Sequence, residues 1–177
     1  MRVAIVLSAL LVLVSAPVIA QECWMQVLFD VDGELVDQVS VNTGLLDAYL
    51  VLSAPIGDIS AYEAGIAVSD PSLFILSVSG PNGWTNFGDN LNQLVGYSTP
   101  LPIDGPTALC MFAMLMTGGG YVEICVTGTE PSQFGTPAPG YADGDGNWYP
   151  CEGRCSQINP AVATQDRSFT EIKALFH

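Results

Sequence analysis

Residues 47–80 read DAYLVLSAPIGDISAYEAGIAVSDPSLFILSVSG, three apolar runs split by turn-forming residues. The alternation in the first two runs, with Asp, Pro, Gly and Ser at each junction, predicts three consecutive β-strands of a sandwich. In the first, Leu50 and Leu52 are expected to face the core opposite Tyr49 and Val51. In the second, Tyr62, Ala64, Ile66 and Val68 share one face and Ala61, Glu63, Gly65 and Ala67 the other, which directs the single charge outward. The third, LFILSVS, is apolar on both faces, as a central strand is.

The same pattern continues on either side. Residues 24–29 are apolar, 30–33 are turn formers, and alternation through Leu35, Val39 and Val41 predicts a strand, a tight turn and a second strand. Residues 80–90, GPNGWTNFGDN, form a glycine- and asparagine-rich loop carrying Trp84 and Phe87, and LNQLVGYS is another strand. ALCMFAMLM is a continuous apolar run expected to be wholly buried. Three glycines at 118–120 then reverse the chain into YVEICVTG, with Glu123 outward and Val122, Ile124 and Val126 inward. About eight or nine short strands with Gly and Pro turns predict an all-β fold, a single antiparallel jelly-roll-like β-sandwich.

From Thr129 the chain turns rich in Pro and Gly, and EPSQFGTPAPGYADGDGNWYP is too polar for strand core. It is expected to wrap across the sandwich as an ordered loop, anchored by Phe134, Tyr141, Trp148 and Tyr149. At the end, Phe169, Ile172, Leu175 and Phe176 recur at helical spacing behind Ser168, which predicts a short C-terminal helix docked on the body. The expected organisation is a signal peptide over 1–20, a sandwich over 21–128, and a wrapping tail over 129–177 packed on the same domain.

Residues 1–20 carry that signal: a basic start at Arg2, an apolar core, and small residues before Gln21. Pro17 and the following Gln21 and Glu22 make the run too short for a membrane anchor. A secreted chain, free of the membrane once the signal is cleaved, is the expectation. Cleavage would leave Arg154, Arg167 and Lys173 against 18 acidic residues, a balance that repels nucleic acid and anionic lipid. All five cysteines lie beyond the cut, in a compartment that permits disulfides. Cys151 and Cys155 would close a short loop around Gly153, and Cys110 and Cys125, on neighbouring runs, could pair across a hairpin.

The middle of the chain resembles a known family. YLVLSA, a glycine-containing turn, ISAYEAGIAV, and then Ser-Asp-Pro-Ser-Leu leading into FILSVSG resemble the cohesin domains of bacterial cellulosomal scaffolds. The family's D-x-x-L turn falls at residues 70–73, and the likeness spans residues 26–128. The resemblance implies a nine-stranded jelly-roll sandwich, related to carbohydrate-binding modules, that binds dockerin domains without catalysis. It carries over fold and binding character but no individual recognition residue.

Candidate chemistry is sparse. Asp143, Asp145 and Asn147, and less fully Asp30, Asp32 and Glu34, set hard oxygen ligands at alternating positions beside glycine, as the start of a calcium loop does. Each lacks a carboxylate at loop position twelve, and Asp-Gly and Gly-Asn are also ordinary turn chemistry. Trp84 and Phe87 with Asn86 offer aromatic faces and amides suited to a saccharide. No catalytic residue is assigned: the only histidine is His177, so neither a Ser-His-Asp nor a Cys-His arrangement can form. No pair among the carboxylates is singled out for glycoside hydrolysis. The functional expectation is a secreted, non-catalytic module that binds an extracellular protein. The alternatives are a polysaccharide-binding module built on the Trp84 loop and, third, a hydrolase.

Overall fold

A strand with one apolar face must set that face against a second layer, and here two sheets supply layers to each other. The structure, a computed structural model, describes residues 23–103 and 105–161. The signal segment and the C-terminal helix expected from the sequence lie outside the described residues. In chain order the strands are β1 (Trp24–Val31), β2 (Glu34–Val36), β3 (Gln38–Val39), β4 (Gly44–Leu52), β5 (Ile59–Val68), β6 (Leu73–Ser79) and β7 (Trp84–Asn86). They continue with β8 (Asn92–Leu101), β9 (Thr107–Met116), β10 (Val122–Thr127), β11 (Gly140–Asp143), β12 (Trp148–Pro150), β13 (Glu152–Gly153) and β14 (Cys155–Ile158).

The first sheet runs β13-β1-β4-β9-β6, with β2 hairpinned onto β1. The second runs β12-β11-β5-β10-β14-β3, with β8 on β5 and β7 on β8. Pairing is antiparallel except for β1 with β13 and β14 with β3. This is an all-β, jelly-roll-like sandwich. Between the layers, Met25, Val27 and Phe29 of β1, Leu50 and Leu52 of β4, and Phe112, Met114 and Met116 of β9 pack against Tyr62, Ala64, Ile66, Ile124 and Val126. Burying a side chain of this size contributes about 1.5–3 kcal/mol. Glu123 lies outward between the buried Val122 and Ile124, as alternation requires.

Three expectations are corrected. β6 is an edge strand, not a central one, and its outer face is exposed: Phe74 and Leu76 stand half in solvent. An apolar pattern on both faces fits a buried strand and an exposed sticky one alike. β9 likewise is not wholly buried, because Met111, Ala113 and Leu115 lie on the outer face and are half-covered. The tail from 129 contributes four short strands, β11 to β14, which join both sheets. Strands of two to four residues are too brief to show a period.

The cysteine pairing also differs from the expected one. Cys151 bonds to Cys23 and Cys155 to Cys125, so the two do not bridge each other, and Cys110 is free and buried. Chain direction explains this: residues 151–155 cross from β13, beside β1, to β14, beside β10, so each cysteine meets the strand of a different sheet. Gly153 makes the crossing possible, since a Cβ there would overlap the carbonyl of Val126. Cys110 and Cys125 cannot form a hairpin bridge because β9 and β10 belong to different sheets.

Candidate binding surfaces

The outer face of the first sheet is built by register. Leu45 of β4 lies opposite Leu115 of β9, which lies opposite Phe74 of β6. Two residues on, Asp47, Ala113 and Ser77 form a polar row. Beyond it, Leu28, Tyr49, Met111 and Ser79 form a second, mostly apolar row. Leu45 is 72% exposed and Phe74 51%, while Leu76, lifted out at the bulge between Ile75 and Ser77, is 52% exposed. Adjacent apolar residues in neighbouring strands make a contiguous patch of the kind that marks interaction sites.

The outer face of the second sheet is different. Glu63 does point away from the core, as alternation requires, yet it is 0% exposed, which corrects the expectation of a solvated charge. Its carboxylate accepts hydrogen bonds from the Thr129 hydroxyl and, at 3.0 Å, from the Gln133 backbone N–H. The segment from Gly128 to Pro139 therefore lies across β5. Two stacked pairs join parts of the tail to each other, Phe134 on Trp148 at 3.7 Å and Tyr141 on Tyr149 at 5.1 Å between ring centroids.

Of the carboxylates considered for calcium, those of Asp143 and Asp30 accept hydrogen bonds within turns. Asp143 Oδ1 accepts from the backbone N–H groups of Asp145 and Asn147 at 2.9 and 2.8 Å. Its Oδ2 accepts from the Asn147 amide at 2.8 Å and the Tyr149 hydroxyl at 3.0 Å. These donors, the Asn147 side chain first, hold its carboxyl below the usual carboxylate range. Asp143, Asn147 and the backbone of Asp145 are thus brought together by hydrogen bonds around one carboxylate. Asp30 accepts from the Gly33 N–H at 2.8 Å, and Asp32 and Gly33 both have positive φ, as a two-residue β-hairpin turn demands. Among the described residues, Glu123, Cys125 and Cys155 place ligand atoms within 4.8 Å of one another, but the two sulfurs are bonded together.

The residues considered for a saccharide separate. Trp84 is packed against the core with its ring over Gly80, where an added Cβ would overlap it, and its indole N–H donates to the Tyr62 hydroxyl at 3.3 Å. Asn86 is spent on its loop: Oδ1 accepts from the N–H of Gly88 and Leu94, and Nδ2 donates to the Asp89 carbonyl. Phe87 alone is open, at 73% exposure. Below Trp84, the Tyr62 hydroxyl donates to Gln93 Oε1 at 2.5 Å, and the Cys110 thiol reaches the same oxygen at 3.3 Å. Burial pushes the Cys110 thiol up to about 11, which leaves it a protonated core residue at neutral pH.

Sequence reasoning missed the surface residues Leu45, Leu115 and Phe74, because single apolar residues in strands are read as core. The signal that could have found them was apolarity at both parities in β6 and β9 together, in a chain whose second layer covers only one face of each sheet.

No protein-family model matches the chain, and no curated protein matches it in sequence. Among solved structures it is similar to the cohesin module of a family 33 glycoside hydrolase from Clostridium perfringens, at 13% identity and a TM-score of 0.55, over 76% of this chain and 96% of that one. It is similar to a type II cohesin domain from the cellulosome of Acetivibrio cellulolyticus, at 12% identity and 0.54, over 78% and 95%. It is similar too to a type I cohesin–dockerin complex from Clostridium thermocellum, at 10% identity and 0.51, over 77% and 93%. The fold is a cohesin-like β-sandwich.

Proposed function

We propose that the chain is a secreted, non-catalytic module that binds another extracellular protein through its sandwich, as part of a surface or extracellular assembly. The observation that carries this reading is the apolar row of Leu45, Leu115 and Phe74 on the outer face of the first sheet, flanked by the exposed Leu76. Burying such a patch against a partner is favourable in proportion to the apolar area removed from water. The likeness to a cohesin solved in complex with a dockerin supports a protein as the kind of partner. The leader-like residues 1–20 and the two disulfides support secretion. Against catalysis stand the protonated, buried thiol of Cys110 and the absence of histidine among the described residues.

The test compares wild type with Leu45→Lys combined with Leu115→Lys, each immobilised and challenged with the extracellular proteins of the source organism and with a type I dockerin. A partner held by wild type and released by the variant, at unchanged melting temperature, supports the reading. A partner held equally by both overturns it. Retention on an insoluble polysaccharide that Phe87→Ala abolishes would replace it with the carbohydrate-binding alternative. Calcium at Asp143, Asp145 and Asn147 is expected to show as a higher melting temperature in millimolar calcium than in chelator.

A further inference from the structure

Where the first sheet ends, its open edge faces the second sheet across a cleft. β6 pairs with β9 alone among the described strands, so apart from the Leu73 N–H, which donates to the Asp70 carbonyl at 3.4 Å, the backbone groups on its other side are open to an added strand. Beside that edge, between the β5–β6 turn and the segment leading into β8, lies a cleft of about 750 Å³. Val68, Leu73, Phe74 and Leu91 give it apolar walls, and Asp70 and Asp89 stand among its lining residues. Leu91 is fixed there because its carbonyl accepts the Ile66 N–H at 2.7 Å.

Both carboxylates are held in place by nearby backbone donors. Asp70 Oδ1 accepts the Ser72 N–H at 2.8 Å, and Asp89 Oδ1 accepts the N–H groups of Leu91 and Asn92, each at 2.7 Å. Hydrogen bonds from Ser72 in one case, and from the Asn92 and Leu91 backbone in the other, keep both carboxyls below the usual range and ionised at neutral pH. The formal net charge of the chain, −14, adds a long-range attraction for cations.

We propose that this cleft receives an extended, basic segment of a partner protein, which adds as a strand to residues 73–75 of β6. One large apolar side chain of that segment enters between Leu73 and Leu91, and flanking Lys or Arg residues meet Asp70 and Asp89. The assignment rests on the binding-module reading and gives it a second surface and a partner chemistry. Main-chain pairing supplies the affinity of strand addition, and the pocket for alternate side chains supplies its specificity. The bulge after Ile75 ends the regular edge and confines pairing to the first residues of β6. Charge complementarity selects a basic partner segment over a second copy of this acidic chain.

The probe is a fluorescein-labelled heptapeptide of alternating Lys and Val around one central Phe, titrated by anisotropy against the full chain. Saturable binding is expected. It should weaken about tenfold or more when alternate peptide amides are N-methylated, and by a similar factor in Asp70→Asn combined with Asp89→Asn. Asp37→Asn combined with Asp58→Asn makes the same charge change elsewhere and should leave binding intact. No binding, equal binding of the methylated peptide, or equal weakening by both aspartate pairs overturns the proposal. So does a dimer, seen by sedimentation, whose formation excludes the peptide. A natural partner lost on Leu45→Lys but kept by the Asp70 and Asp89 variant overturns the cleft while leaving the binding-module reading standing.

Discussion

On one outer face of the sandwich, the exposed Leu45 and Phe74 flank a half-covered Leu115 in one row; on the other, Glu63 is withdrawn from solvent completely. Both sets of residues sit at outward positions of their strands, so alternation alone treats them identically. The difference lies in what else the chain does. Residues 128–139 pass over β5 and offer Glu63 a hydroxyl and a backbone N–H in place of water. An outward carboxylate can be buried when its hydrogen bonds are replaced. No described segment crosses the face formed by β4, β9 and β6, and its leucines and phenylalanine stay available for a partner. Polarity therefore reports which face of a strand a residue occupies, and not whether that face is wet.

If the tail is what makes the two faces unequal, untying it should have the largest effect. Cys23→Ser with Cys151→Ser opens a bridge that spans 128 residues and ties the tail to β1. Loop entropy puts the expected loss near 4–5 kcal/mol, against about 3.5 kcal/mol for the bridge from Cys125 to Cys155. Denaturant unfolding of the two double variants would order them, and the reverse order would show that loop length does not set how strongly each bridge ties the tail down. Next, Glu63→Ala strands the Thr129 hydroxyl and Gln133 N–H beneath the loop, at a cost of about 1–3 kcal/mol. Hydrogen exchange should quicken across 128–136 and leave β4 and β9 unchanged.

On the bare face, Leu45→Ser and Phe74→Ser should each move stability by only about 0.5 kcal/mol. The double variant should bind a hydrophobic dye less strongly than wild type, with its unfolding midpoint nearly unmoved. The smallest effect is a pH dependence. Because the folded Asp143 carboxyl titrates below its unfolded value, its contribution is present above the ordinary carboxylate range and disappears as pH falls through the folded value. Asp143→Asn should therefore be less stable than wild type at neutral pH. The difference should close below about pH 4, where urea midpoints of the two proteins converge.

Most of the strand plan was legible in the sequence, because period-two alternation is a local property: β4, β5 and β10 orient their side chains as their residues demand. The edge position of β6 was not legible, since a strand's place in a sheet is decided by partners distant in sequence. The surface residues stayed hidden for the same reason. The acidic motifs were visible as residues, but whether a carboxylate binds its own turn, as Asp143 does, depends on backbone direction over four residues.

The sequence by itself determined that this chain would form short strands with one apolar side each and that it would be strongly acidic. Those are consequences of composition and of spacing along a few residues. Tertiary structure decided which cysteines meet, that the Pro- and Gly-rich tail completes both sheets and covers one of them, and that the apolar residues of β4, β9 and β6 line up in the open. Each of those depends on contacts between residues far apart in the chain, where strand order and chain crossing, and not local pattern, set the neighbours.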